Sequence, residues 1–166
     1  MRPDYAFPVE GTKGVVITPA IIKDGEAEYL KKADAERLKV DFDSVRRVAR
    51  SAASAELAKF EPEFVRDEKG IILYGRITSD SLTTAGVVLA PDFAAKFADT
   101  LGPDLLVAIP NRYRIYVYPA LASHFQNTAG LVLRDYDLSP YPVSKEVFRV
   151  TKVGLRAVGT FEPDLR

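Results

Sequence analysis

Between Leu105 and Arg134 the chain carries three arginines, its one histidine and no Asp or Glu. Two of the arginines, Arg112 and Arg114, follow Asn111 where the apolar run "LLVAI" breaks before "YRIYVY". A guanidinium presents a planar fork of donors that matches a carboxylate or a phosphate. Interleaved tyrosines add faces on which a cation or a base can stack. Asn111, Arg112, Arg114 and His124 are therefore the candidate binding residues, and an anionic group is the chemistry that they fit. A hairpin tip by itself needs only Pro110 to pre-set φ and Asn111 to tolerate an unusual backbone. The plainer reading is that Arg114 covers core edge with its methylenes while the tyrosines pack at a layer boundary.

His124 raises a second chemistry, because imidazole can act as a general base near neutral pH. Paired with a carboxylate such as Asp135 it would serve a hydrolase. The adjacent Ser123 is a poor nucleophile for it, since neighbours on a helix do not face each other. No Gly-x-Ser-x-Gly elbow is present. "RDYDLSPYPVSKE" (134–146) is dense in oxygens, yet it lacks EF-hand spacing and offers Asp135 and Asp137 where calcium wants more ligands. No metal site is expected. Without a Walker A motif or a dinucleotide fingerprint, no nucleotide cofactor is expected either. Arg46, Arg47 and Arg50 form a basic face that reads as solvated, with Asp43 in partial compensation.

The chain has 166 residues, enough for one domain with a real core. Lys plus Arg number 23, as do Asp plus Glu, and that balance argues against a dedicated nucleic-acid binder. The absence of cysteine removes thiolate catalysis, zinc–thiolate sites and disulfides together. No apolar run approaches 18 residues, so no membrane span is expected. The start, "MRPDYAFPVEGTKG", has no signal-peptide core, and a cytoplasmic location is the expectation.

The elements that position these residues follow from periodicity. Residues 1–14 read as an extended arm and 15–166 as one domain. "GVVITPAIIKDG" (14–25) reads as a strand pair or a strand broken at Pro19, and 26–40 as mostly irregular with a short helix. "DFDSVRRVARSAASAELAKF" (41–60) is the long helix, with Asp41 as its N-cap. Residues 63–77 form a hairpin around Asp67–Gly70, and 80–90 a turn followed by a short strand. Two shorter helices are expected at 91–102 and 119–130, the first with Phe93, Phe97 and Leu101 on one face. Strands are expected on both sides of the tip and at 131–136, 145–151 and 155–161. Adjacent strands with helices at irregular intervals make this an α+β domain with a mainly antiparallel sheet.

Three segments carry a resemblance. "GPDLLVAIPNRYRIYV" (102–117) resembles the YtpQ-like family of uncharacterised bacterial proteins, where an acid and an apolar "VVAVP" strand precede a polar tip. "VVITPAIIK" (15–23) and "PYPVSKEVFRVTKVGLRAV" (140–158) are similar to further family segments in the same order. The resemblance implies a mixed α+β domain in a bacterial protein and assigns no activity. Some members carry acids after the tip and after the second strand, where this chain has Arg112-Tyr113-Arg114 and Tyr118-Pro119. The functional expectation is a non-catalytic domain that binds an anionic small molecule or a protein partner, with the hydrolase as the alternative.

Overall fold

The computed structural model describes residues 3–121 and 123–162, and of Ser123 and His124 the backbone alone. In chain order the elements are β1 (Phe7–Pro8), β2 (Val16–Ile17), β3 (Ala20–Lys23), β4 (Glu26–Tyr29), α1 (Lys32–Leu38) and α2 (Phe42–Leu57). Then come β5 (Glu63–Arg66), β6 (Ile72–Thr78), α3 (Phe93–Leu101), β7 (Leu105–Asn111) and β8 (Arg114–Pro119). α4 (Ala129–Asp137), β9 (Glu146–Thr151) and β10 (Gly154–Thr160) complete the set. The last six strands form one antiparallel sheet in the order β10-β9-β7-β8-β6-β5, and the protein is a single α+β domain.

Alternation sorts the central strands into two buried faces. Leu105, Val107, Ile109, Ile115 and Val117 belong to one apolar cluster, and Leu106, Ala108, Tyr116 and Tyr118 to the other. A strand covered on both sides has no solvent face, which is why "LLVAI" is unbroken. The first face lies under α3 and the 3-10 segment Thr84–Leu89, with Phe93, Phe97 and Leu101 all buried as their spacing predicts. Phe64 and Phe97 also crowd Gly75, where a Cβ would meet Phe64 at 3.2 Å and Phe97 at 3.4 Å. α4 covers the second face through Val132 and Leu133.

Several local expectations change. Residues 84–89 are 3-10 helix instead of strand. Pro119 closes β8, a 3-10 segment spans Ser123–Thr128, and "LVLRDY" is helical within α4. Ala129, Val132 and Leu133 share one helical face on the second cluster, so three successive apolar residues are no proof of a strand. Residues 26–40 hold β4 and α1. Asp24 and Gly25 take φ of 52° and 80°, the paired positive values of a type I′ turn, and close the β3–β4 hairpin.

Residues 3–14 lie against the domain. Phe7 and Pro8 pair with Ile17 and Val16, and Val9 is buried. The Ala157 N–H donates to the Glu10 carbonyl at 2.8 Å. Tyr5 and Phe7 stack on Phe42, at the start of α2, with centroids 5.8 and 4.3 Å away.

Phe97 is 0 % exposed and lies edge-on to Phe64, so Phe97→Ala is expected to cost about 3–5 kcal/mol. The check is a denaturant titration, with a lowered midpoint and an unchanged slope.

Candidate functional site

The tip is built differently from the sequence expectation. Pro110 and Asn111 remain in β7, at a register shift, and the turn residues are Arg112 and Tyr113 between the paired Asn111 and Arg114. The Asn111 side chain shapes that turn, its Oδ1 accepting the Tyr113 N–H at 2.9 Å. Its Nδ2 donates to the Asp135 carbonyl at 3.0 Å, joining the tip to α4. The loop after α4 runs alongside: the Arg112 N–H donates to the Tyr141 carbonyl, and the Val143 and Ser144 N–H groups to Pro110 and Ile109.

The two tip arginines have partners within the domain. Arg114 Nη1 lies 2.8 Å from Asp135 Oδ2, and the Tyr116 hydroxyl donates to the same oxygen at 2.6 Å. Asp135 is the first acid past the acid-free window, so Arg114 is not a surplus cation. Burial opposes the Arg114 charge, and the hydrogen bond and charge of Asp135 outweigh it, raising its pKa. Arg112 sits over the Tyr141 ring, 4.3 Å from its centroid. Asn111, Arg112 and Arg114 thus come together as a junction between tip, α4 and loop. The His124 side chain lies outside the described residues.

Several other polar groups of 134–146 also have local partners. Lys145 bridges Asp137 at 2.9 Å, and the Ser144 hydroxyl donates to Glu146 at 2.9 Å. Among the described residues no three Asp, Glu or His side chains cluster to hold a metal. Tyr118 and Thr128 share a hydroxyl–hydroxyl bond of 2.7 Å, and burial pushes the Tyr118 phenol up.

Open space lies elsewhere. A groove of about 900 Å³ runs between α2, the β1–β2 and β3 segments, the 3-10 segment Thr84–Leu89 and the β9–β10 turn. From α2 it receives Phe42, Arg46, Ala49, Arg50, Ala53 and Glu56, which share one helical face. Val48, on another face of the helix, is 66 % exposed. Alanines stand where a packed helix would carry leucines, and the missing volume is the groove. Ile17, Leu89 and Leu155 line its other walls. A smaller recess of about 610 Å³, lined also by Asp43, Arg47, Ser51 and Ser54, adjoins Arg46 and Arg50, which line both spaces.

Among the described residues neither Arg46 nor Arg50 makes a salt bridge. The groove's acids are Glu10 and Glu56. Glu56 accepts the Ser81 hydroxyl at 2.6 Å and Lys59 at 2.9 Å, and these two bonds lower its pKa. Arg50 Nε and Thr18 Oγ1 are shielded from water and have no hydrogen-bond partner among the described residues, and both residues line the groove. Such a shielded group costs about 1–3 kcal/mol until an acceptor or donor reaches it. The sequence signal was present in "RRVARSAASAEL", as alanines in phase with arginines.

Arg114→Ala leaves the Asp135 carboxylate, only 10 % exposed, without its cation, and is expected to cost about 1–3 kcal/mol. That exceeds the roughly 0.5 kcal/mol expected of an exposed tip residue. A urea titration of the variant distinguishes the two. Burial, followed by the Asp135 carboxylate, pushes the Tyr116 phenol up to about 12. From about pH 10 to about 12 the unfolded chain releases this proton and the native state keeps it, so stability falls as pH rises. Tyr116→Phe is expected to flatten that fall in unfolding curves taken across this range. No protein-family model, curated protein or solved structure matches the chain.

Proposed function

We propose that this protein is a non-catalytic binding domain and that an anionic ligand occupies the groove beside α2. The observation that carries this reading is the juxtaposition of Arg46 and Arg50, without salt-bridge partners among the described residues, with an open, largely apolar groove. The groove's volume falls within the usual range for ligand sites, and apolar walls with a few convergent polar groups are their usual composition. The anion expected at the tip therefore moves, in this reading, to α2. The hydrolase alternative has no observation in its favour, because its carboxylate, Asp135, is held by Arg114 and Tyr116. Kinship with the YtpQ-like proteins of bacteria remains a proposal resting on three ordered segments. No helix among the described residues is long and apolar enough to cross a membrane.

Ala49 is exposed and lines the groove, so Ala49→Trp is expected to fill it while changing stability by no more than about 0.5 kcal/mol. In a thermal-shift screen of anionic, neutral and cationic compounds, anions should stabilise the parent and not Ala49→Trp. A ligand at a hundred times its Kd adds about 2.7 kcal/mol. Equal stabilisation of both proteins would remove the groove from this reading.

A further inference from the structure

Resting on the groove as the binding site, we propose that its occupant is a single-chain amphiphile with a carboxylate or phosphate head. The head would lie against Arg46 and Arg50 and the chain along Ala49 and Ala53 toward Leu89 and Leu155. Three features combine to specify this class.

The first is the spacing of the cations. Arg46 and Arg50 are one helical turn apart, with Cβ atoms about 6 Å from each other, so one anionic head can take donors from both. The second is the lining between and beyond them. Ala49 and Ala53 leave a smooth floor, and Ile17, Leu89 and Leu155 make the far walls mostly apolar, with Thr83 and Thr151 among them. A purely polar anion would leave that surface wet, and a neutral apolar ligand would leave the guanidiniums without an acceptor. The third is the pair of shielded polar groups, Arg50 Nε and Thr18 Oγ1. Each is a donor that a head-group oxygen can satisfy once the side chain turns to meet it. Of the two acids in the lining, Glu10 belongs to a segment tied to β10, its carbonyl accepting the Ala157 N–H. Glu56 is compensated by Lys59.

The test is isothermal titration of the full chain with dodecanoate, dodecyl phosphate, dodecanol and butyrate, each below its aggregation threshold. Dodecanoate or dodecyl phosphate is expected to bind about tenfold or more tighter than dodecanol, and the tighter of the two identifies the head group. Butyrate should bind about a hundredfold or more weaker than dodecanoate, because it lacks the buried methylenes. Arg46→Gln with Arg50→Gln should erase the preference over the alcohol. Arg47→Gln should leave it within about twofold, since Arg47 lines the smaller recess and not the groove. Both variants change exposed or partly exposed helix positions, and circular dichroism checks their fold. Equal binding of dodecanoate and dodecanol would overturn the head-group assignment, and equal binding of butyrate and dodecanoate the chain assignment. In either case a loss of binding in Ala49→Trp would leave the groove itself standing as the site. If no compound binds the parent, or if Ala49→Trp binds as well as the parent, the amphiphile and the groove fall together.

Discussion

Burial of β7 and β8 on both faces is the constraint from which most of this structure follows. Leu105 to Ile109 are all buried, as are Ile115 to Tyr118. Each large apolar side chain removed from water contributes about 1.5–3 kcal/mol, so neither face can be left open. One layer must come from α3 with the 3-10 segment before it, and the other from α4. The second face includes Tyr116 and Tyr118, whose hydroxyls must find partners once buried. Thr128 meets Tyr118, and Asp135 meets Tyr116. A carboxylate brought that far into the protein needs a cation, and Arg114 is that cation. The arginine that seemed available for a ligand is thus a consequence of sealing the central hairpin.

The amino-terminal quarter is built under a weaker constraint. β1–β2 and β3–β4 are two-stranded ribbons outside the main sheet, and ribbons of this kind have little stability alone. The first is held by Val9 in the core, by rings stacked on Phe42 and by a backbone bond to β10, and the second ends on the buried Leu30. Ile21, Ile22, Tyr29, Leu38 and Val48 all remain substantially exposed there. α2 inserts Leu57 fully but presents mostly alanine over its middle turns, so the ribbons and the helix frame a space without filling it.

Legibility in the sequence tracks how local each cause is. Asp41 caps α2 through the Ser44 N–H, and Asp67 closes the β5–β6 turn by accepting from Lys69 and Ile71. Those causes lie within four residues and could be read. So could α3, whose phenylalanines recur on one face. The Asp24-Gly25 turn was equally local, but helix formers after it masked the hairpin. "LVLRDY" was ambiguous in principle, because a short apolar run suits a buried strand or a buried helix until its neighbours are known. Arg114 and Asp135 are 21 residues apart, and only the docking of α4 joins them. The groove was harder still, since its walls come from four separate stretches of chain and its defining feature is missing volume.

Charge placement connects these two halves of the molecule. With 23 cationic and 23 anionic residues the protein has no net field to attract an anion, so any preference must be local. At the tip Asp135 neutralises Arg114, and Arg112 lies over the Tyr141 ring. Along α2, Asp43 offsets part of the arginine charge, and the acids at the two ends of the helix are engaged. Asp41 is committed to the helix N-terminus, its carboxyl held below the usual range by the Ser44 N–H, and Glu56 to Ser81 and Lys59. Arg46 and Arg50 follow Asp43, which lines the neighbouring recess with them, and alanines fill the turns between them and Glu56. A guanidinium beside apolar surface is less screened than one in open water, so its attraction for an anion is stronger there. In a neutral protein the pairing of two such guanidiniums with an apolar wall, and not any excess of basic residues, is what the groove offers an anion.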